Sequence, residues 1–316
     1  MINTPRVVCF GELLIDMIAT NTGPLRDSEG FLKKFGGAPA NTAADLAKLG
    51  VPVSFIGKVG DDPFGHFLKA TLDENGVDTT SLILSNSEKT TLAFVSLTES
   101  GERDFTFYKG AHEAITPSEV DIPKDTFLFH FGSLTQTNET ANKATQKLIG
   151  QAKEMRAIIS YDPNIRESLW RDLQKAKRII LETAKKVDVL KLNEDEARLL
   201  SGKDDIKEAG NGLFTDNLEA IFITLGKDGC YYKTKENEGF VPVPITVDAV
   251  DTTGAGDAFN AGYILAIHKT GKRIPEMTKD ELESGLRMAN IIGALTTTKK
   301  GAIDACPSSE DLKQYV

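Results

Sequence analysis

The segment 245-ITVDAVDTTGAGDAFNAGYILAIHK-269 contains three structural elements in one continuous stretch. Its alternating apolar residues 245–250 predict a strand, its glycines predict a turn, and the apolar residues that follow predict a helix over 255–269. A strand, a glycine turn and a helix in succession bind anions well, because the backbone N–H groups at the start of the helix point toward the ligand. The segment therefore predicts an α/β fold with a phosphate site at the turn.

Short apolar runs alternate with longer amphipathic segments along the rest of the chain. Apolar runs separated by helices indicate strands of a mostly parallel sheet, buried on both faces. The predicted strands are residues 7–10, 53–56, 127–131, 157–161, 187–192 and 221–225, and the other predicted helices are 38–49, 63–75 and 138–156. Because no Pro- or Ser-rich linker interrupts the alternation, it predicts one doubly wound α/β domain over residues 1–316.

A predicted β-hairpin interrupts this alternation. Its strand-like runs are residues 91–98 and 103–108, and residues 99–102 join them. Phe105 and Phe107 are expected to share one face of the second strand. A hairpin is not stable alone, so we expect it to form a small sheet with strands from the N-terminal region. This small sheet, from about 12–35 and 91–109, is expected to project over the main sheet as a lid.

Composition limits the partners and the compartment. A formal net charge of −9 disfavours nucleic acid and anionic membranes, since both attract a basic surface. The three cysteines are scattered and odd in number, so they provide neither a disulfide framework nor a CxxC metal site. Glu12 and Asp16 interrupt the first apolar run, which argues against a signal peptide, and no apolar run is long enough to span a membrane. We expect a cytoplasmic protein that binds small molecules.

The glycine turn is the first candidate site. Backbone N–H groups of Gly254, Ala255, Gly256 and Asp257 are expected to face a phosphate, assisted by the positive end of the helix dipole. Asp257 is either a helix cap or a chemical group, and the motif alone leaves both open. The sequence contains no GxxxxGK[ST], no GxGxxG after the first strand, and neither HRD nor DFG. A P-loop protein, a dinucleotide fold and a protein kinase are therefore disfavoured.

A second candidate site is GGAPANTAADLAKLG at residues 36–50, where a diglycine turn leads into a helix of small residues. One interpretation is a tight connection with close helix packing. In the other, Asn41 donates to and accepts from ligand hydroxyls, and Gly36 and Gly37 leave room for the ligand. Asp16 is either an acceptor for two more hydroxyl hydrogens or a solvated loop residue.

Together these motifs closely resemble the two signatures of the PfkB, or ribokinase, family of sugar kinases. Further segments resemble the family in the expected order: IGKVGDDPFG at 56–65, SYDPNIRESLW at 160–170, KLNEDE at 191–196 and TLGKDG at 224–229. The hairpin, the tract FHFGSL and the run DPNIRESLW look most like the fructokinase branch. The resemblance implies a ribokinase-like doubly wound, mostly parallel sheet flanked by helices, with a small β-sheet lid.

The resemblance also implies a role for each matching residue. In similar proteins the Asp of GAGD removes the proton from the sugar's primary hydroxyl, and Asp257 occupies that position. Catalysis is assigned to Asp257 with Gly254, Ala255 and Gly256, and sugar binding to Asp16, Gly36, Gly37, Asn41, Phe107 and Arg166. A surface ion pair is the alternative role for Arg166.

Nucleotide and metal positions follow in the same way. ATP is assigned to Asn193, Thr224, Gly226, Gly229 and Asn290, Mg²⁺ to Glu196 through water, and a monovalent cation such as K⁺ to Asp251 and Thr253. For Asn193 and Glu196 the alternative is a capping pair on the helix that follows them.

The implied activity is ATP-dependent phosphorylation of D-fructose to fructose 6-phosphate, and the implied assembly is a homodimer through the lid. Where similar fructokinases carry FYR, this chain has Phe107, Tyr108 and Lys109, so 2-keto-3-deoxygluconate, ribose and nucleosides stay open as substrates. A non-enzymatic sugar sensor would predict loss of Asp257 or of the glycine turn. A nicotinamide-dependent oxidoreductase would require GxGxxG after the first strand.

Overall fold

The structure, a computed structural model, describes residues 6–97 and 103–315. The strands in chain order are β1 (Arg6–Phe10), β2 (Leu14–Ala19), β3 (Phe31–Gly36), β4 (Val53–Gly60), β5 (Leu82–Ser85), β6 (Leu92–Leu97), β7 (Arg103–Tyr108), β8 (Thr126–Phe131), β9 (Ile158–Tyr161), β10 (Val189–Asn193), β11 (Ala220–Thr224), β12 (Cys230–Thr234) and β13 (Glu238–Val241). The helices are α1 (Ala38–Lys48), α2 (Pro63–Glu74), α3 (Glu139–Glu154), α4 (Leu173–Ala184), α5 (Glu194–Ser201), α6 (Ile206–Leu213), α7 (Ala255–Thr270) and α8 (Lys279–Thr296). Among these helices, none is both long enough and apolar enough to cross a bilayer.

The main sheet has the strand order β13-β12-β11-β10-β9-β8-β1-β4-β5. Strands β1, β4, β5 and β8 to β11 pair in parallel, whereas β12 and β13 run antiparallel at one edge. Successive side chains of a strand point to opposite faces, so Val7 and Cys9 enter one apolar core while Val8 and Phe10 enter the other. Helices α1, α2, α7 and α8 pack in the first core and α3 to α6 in the second. The predicted doubly wound, mostly parallel sheet is confirmed.

The strand predicted at residues 245–250 is wrong. These residues lie outside any strand, and alternate ones are half-buried on the surface, with Val250 59% exposed. The N–H groups of Val250 and Asp251 donate to the carbonyl of Thr297 rather than to a neighbouring strand. Pro242 and Pro244 lack the N–H groups that a sheet ladder needs, so the alternating pattern here reflects an extended surface segment.

The small sheet has the order β3-β2-β6-β7, with β2 parallel to β6 and antiparallel to β3. Strands β6 and β7 pair in antiparallel register, which confirms the predicted hairpin and its union with N-terminal strands. The predicted connection at residues 99–102 and the side chain of Phe105 lie outside the described part of the chain. Strands β2 and β6 pair in this sheet although more than seventy residues separate them in the chain.

Candidate active site

A cavity of about 570 Å³ lies at the carboxyl edge of the main sheet. Its wall comes from the segments that follow β8, β9, β10 and β11, from the start of α1 and α7, and from the small sheet. In a doubly wound sheet this edge is where ligands bind, because the loops and helix N-termini converge there. Leu14, Asp16 and Phe107 form the part of the wall that the small sheet supplies.

Most of the site residues predicted from the sequence share this cavity. Those that line it are Asp16, Gly37, Asn41, Phe107, Arg166, Asn193, Thr224, Gly226, Thr253, Gly254, Gly256 and Asp257. Those that do not line it are Gly36, Glu196, Gly229, Asp251, Ala255 and Asn290.

The glycine turn is shaped by close backbone approach. Gly254 is the N-cap of α7 in the left-handed region, with φ 79°, and a Cβ atom there would lie 2.8 Å from the Cα of Ala302. A side chain at Gly254 is therefore excluded both by strain and by space. The N–H groups of the first helical turn lack the partner four residues back that later residues of the helix have, which favours an anion at this end of α7. The N–H of Ala255 donates to the carbonyl of Thr252 at 3.3 Å in this structure.

Asp257 lies in the first turn of α7 and is 7% exposed. Its Oδ2 accepts a hydrogen bond of 2.8 Å from Nδ2 of Asn41, on α1. Because the N-cap of α7 is Gly254, the interpretation of Asp257 as a helix cap does not apply. Burial raises the pKa of Asp257 to about 6, aided by Asp162 and opposed by the bond from Asn41 and by Lys191 and Arg166. A carboxylate with a pKa near neutrality is suited to accept a proton.

The diglycine turn connects β3 to α1. A Cβ atom at Gly37 would lie 2.4 Å from the carbonyl oxygen of Glu12, and one at Gly36 would lie 2.4 Å from Oδ2 of Asp16. The two glycines thus allow the turn to approach β2 and the segment before it closely. The turn packs tightly and also brings Asn41 into the cavity, so the two interpretations of this motif are compatible.

Glu12 is a site residue that the sequence reasoning missed. Its Oε1 accepts from the N–H of Ala38 at 3.1 Å, whereas its buried Oε2 has no partner among the described residues. It lines the cavity, and burial raises its pKa to about 7. Oδ1 of Asn41 is a second buried acceptor without a partner among the described residues. An acidic residue inside the first apolar run was the available signal, since a carboxyl group is almost never fully buried unless it is paired.

Asn193 and Glu196 form a capping box at the start of α5. The N–H of Glu196 donates to Oδ1 of Asn193 at 2.8 Å, and the N–H of Asn193 donates to Oε2 of Glu196 at 2.9 Å. Oε1 of Glu196 accepts from the N–H of Ile165, which fixes the loop that carries Arg166. The geometry matches the capping interpretation, and Asn193 also faces the cavity.

Arg166 is exposed and lines the cavity, where its Nη1 donates to Oδ1 of Asn164.

Two residues assigned to the nucleotide hold the edge of the main sheet. Gly229 has φ 102°, and a Cβ atom there would lie 2.1 Å from the carbonyl oxygen of Val241. Nδ2 of Asn290, on α8, donates to that same oxygen at 2.8 Å. Thr224, at the end of β11, and Gly226 beyond it reach the cavity, as Asn193 does. The roles of Gly229 and Asn290 toward ATP stay predictions.

The predicted cation residues join two loops beside the glycine turn. Oδ1 of Asp251 accepts from the N–H and the hydroxyl of Thr253, at 3.0 and 2.6 Å, and its Oδ2 accepts from the N–H of Gly301 at 3.0 Å. Within the described ranges, no group of three or more His, Cys, Asp or Glu side chains is arranged to hold a metal ion. A cation here would depend on backbone and hydroxyl oxygens as well as on Asp251.

A buried charged cluster was also missed. Nζ of Lys191 lies 2.9 Å from Oδ2 of Asp162, and Nδ2 of Asn260 donates to the same oxygen at 2.7 Å. Lys191 and Asp162 line the cavity although they are only 4% and 3% exposed. The lysine inside the apolar run at residues 187–192 was the signal, because an unpaired lysine is almost never buried.

Comparisons with known proteins identify similar sequences and structures. The family model described as pfkB family carbohydrate kinase matches residues 4–309. Probable fructokinase-4 of Arabidopsis thaliana is 41% identical over 98% of this chain and 96% of its own length. The fructokinase of Xylella fastidiosa, solved with bound ATP, is 30% identical with a TM-score of 0.90 over 98% of both chains. A double-mutant fructokinase of Vibrio cholerae, solved with fructose, ADP and potassium, is 29% identical with a TM-score of 0.89 over 99% of this chain and 98% of that one. The predicted ribokinase-like fold class is confirmed.

Asp257 is expected to reduce stability at alkaline pH. Its pKa is raised to about 6 in the folded protein from an ordinary value of 3.8, so folding favours the protonated form and the free energy of unfolding falls as pH rises through 6. Asp257→Asn should therefore raise the free energy of unfolding by about 1–3 kcal/mol at pH 8, and by less at pH 5. Urea unfolding at both pH values measures this. The exposed Asp216→Asn is the control, and an Asp257→Asn variant no more stable than wild type at pH 8 would contradict the expectation.

Proposed function

The chain belongs to the pfkB family of carbohydrate kinases, and on that premise we propose that it is an ATP-dependent fructokinase that converts D-fructose to fructose 6-phosphate. The observation that carries the proposal is the buried carboxylate of Asp257, held by Asn41 within the cavity and next to the glycine turn. Transfer of a phosphoryl group to a hydroxyl requires a general base and a site that binds the phosphoryl anion, and here the two are adjacent in the chain. The cytoplasmic location expected from the scattered cysteines is part of the proposal.

The chemical step follows from this placement. Asp257 takes the proton of the sugar's primary hydroxyl while that oxygen forms a bond to the γ-phosphorus of ATP. The bond between the γ-phosphorus and the bridging oxygen breaks, and ADP leaves with the electron pair. Negative charge spreads over the transferred phosphoryl oxygens, and the N–H groups of residues 254–257 stabilise it. Since the base must be ionised, the rate should rise with pH through about 6.

The sugar is proposed to bind between the small sheet and α1. Glu12 and Asn41 each present a buried oxygen without a partner among the described residues, and such acceptors favour a ligand rich in hydroxyl hydrogens. Asp16 and Phe107 add the wall of the small sheet, whose closure would exclude water from the reaction.

Lys109, which stands where similar fructokinases carry the arginine of FYR, does not change the described wall of the cavity. Its Nζ forms an ion pair of 2.6 Å with Oε1 of Glu113, and neither residue lines the cavity. The names of the relatives favour fructose as the substrate. Kinases of 2-keto-3-deoxygluconate, ribose or nucleosides remain the alternatives, because a few polar contacts separate these substrates.

ATP is proposed to lie along Asn193, Thr224 and Gly226, which line the cavity, and the solved relative with bound ATP supports ATP as the nucleotide. Mg²⁺ is the proposed divalent ion. Glu194 and Asp195 line the same side of the cavity, and carboxylate oxygens with water are the ligands that Mg²⁺ prefers. The residues present therefore fit the ion, whose bound form would neutralise phosphate charge. The predicted role of Glu196 through water is compatible with its two backbone bonds, because each carboxylate oxygen has a second lone pair.

Turnover with a panel of acceptors tests the proposal. Phosphorylation of fructose, 2-keto-3-deoxygluconate, ribose, glucose and adenosine is measured with ATP, and we expect fructose to be used best. Asp257→Asn should lower kcat by about 10²–10⁴-fold, since it removes the general base. Asp216→Asn is the matched control and should retain wild-type turnover. Preference for another acceptor would replace the substrate. An undiminished Asp257→Asn variant would contradict Asp257 as the base, and no turnover of any acceptor would favour the sugar-sensor alternative.

A monovalent cation beside the glycine turn is proposed to support activity. Asp251 connects residues 251–253 with Gly301, and the Vibrio cholerae relative was solved with potassium. A cation there would hold the turn and add positive charge near the phosphoryl group.

We expect turnover in KCl to exceed turnover in tetramethylammonium chloride at equal ionic strength, and this difference to shrink in Asp251→Ala. Equal rates of the wild type in the two salts would remove the cation from the proposal.

A homodimer through the small sheet is proposed from its exposed apolar face. Tyr108 is 63% exposed on the face that also carries Phe31 and Phe94, and the three rings make consecutive edge contacts at 5.0 and 5.4 Å. Such a face is stabilised when a second copy covers it. Light scattering should give twice the chain mass of 34.3 kDa, and Tyr108→Glu should give a monomer. A wild type that is monomeric at every concentration would contradict this assembly.

A further inference from the structure

Lys191 is a buried cation on β10 beside the site of the proposed reaction. Its side chain is 6% exposed and that of its partner Asp162 is 4% exposed, with Nζ and Oδ2 2.9 Å apart. A buried pair of this kind contributes little net stability, because desolvation of both charges offsets their attraction. Both residues line the cavity, so a functional reason for the charge has to be considered.

The ammonium lies directly against the glycine turn. A Cβ atom at Gly256 would lie 3.1 Å from Nζ of Lys191, so this glycine leaves the space that the ammonium approaches. Burial opposes the charge, but Asp162, Glu196 and Asp257 outweigh it and raise the pKa of Lys191. The group is therefore a permanent cation at the turn where negative charge would develop.

Asp162 is held in place from two sides. Its Oδ2 accepts from Asn260, on α7, and its Oδ1 accepts from the N–H of Asn164 at 3.1 Å. An ammonium has three donors and the bond to Asp162 uses one, so Lys191 keeps the capacity to donate to a second anion in the cavity. The arrangement fixes the position of Nζ relative to both the main sheet and α7.

We propose that Lys191 is a catalytic residue that donates a hydrogen bond to the phosphoryl group in transit, and that Asp162 is a positioning residue for it. This inference rests on the proposed phosphoryl transfer from ATP to a sugar hydroxyl. A fixed charge in a site that excludes water stabilises the transition state without reorganisation, and it acts more strongly there than at a surface. The N–H groups of the turn and the ammonium would then contact the same phosphoryl oxygens from two directions.

The experiment compares two buried lysines. Lys58 matches Lys191 closely: it lies on a strand of the main sheet, its side chain is 9% exposed, and it pairs with Glu119 at 2.6 Å, but it does not line the cavity. We expect Lys191→Met to lower kcat by about 10²-fold or more with KM for the sugar changed less than about threefold, as for loss of one transition-state donor. Lys191→Arg should recover part of the loss. Lys58→Met should keep kcat within about threefold of wild type.

A binding measurement distinguishes a catalytic role of Lys191 from a role in maintaining the shape of the site. Calorimetry with ADP, Mg²⁺, aluminium fluoride and fructose reports affinity for a mimic of the transferred phosphoryl group, and ADP alone is the reference. Lys191→Met should weaken the complex with aluminium fluoride by about tenfold or more and leave ADP binding unchanged. Equal weakening of both ligands, or an equal loss of kcat in Lys58→Met, would overturn the assignment.

Two further variants keep the inference testable. If Lys191→Met does not fold, Lys191→Met with Asp162→Asn removes the unpaired buried carboxylate and is measured in its place. Asp162→Asn alone should lower kcat less than Lys191→Met does, since the cation remains. If the wild type phosphorylates no acceptor, the proposed function fails, and binding of ADP with aluminium fluoride without sugar then decides whether Lys191 contacts the anion.

Discussion

The hydrogen bond from Asn41 to Asp257 connects the two halves of the active site. The two residues are 216 positions apart, and each lies in the first turn of a helix that packs in the same apolar core. The bond orients the carboxylate and lowers its pKa, while burial raises it, and the result near 6 keeps the group ionised at neutral pH. The remaining parts of the site depend on this contact, because the glycine turn, α1 and the small sheet meet only where α1 and α7 are correctly docked.

The site brings several buried charged groups close together. Glu12, Asp162, Glu196 and Asp257 are all nearly buried, and Lys191 is the cation among them. Burial raises the pKa of Glu12 and Glu196 to about 7, because a buried site favours the neutral form of a carboxyl group more than water does. Groups whose pKa is shifted in this way mark functional sites, since stability alone would select apolar side chains of similar volume.

Sequence reasoning identified the residues with distinctive motifs and missed those whose context is tertiary. The glycine turn and Asn41 were found because their residue types and spacing predict anion and hydroxyl binding. Glu12 and Lys191 were missed because each is a single charged residue inside an apolar run, and no local pattern shows whether its neighbours in space are solvent or a cavity. The wrong strand at residues 245–250 has the same origin, since alternation describes an extended chain and does not show whether another strand lies beside it.

The sequence by itself determined the alternation of strands and helices, the glycine turn before α7, and the family of the chain. These are local properties, since hydrophobic period, glycine conformation and motif order are encoded in neighbouring residues. Only the tertiary structure decided that Asn41 bonds to Asp257, that Glu196 braces a loop, and that Lys191 approaches Gly256. Those contacts depend on strand order and helix docking, which result from packing of the whole core and carry no signature in any short segment.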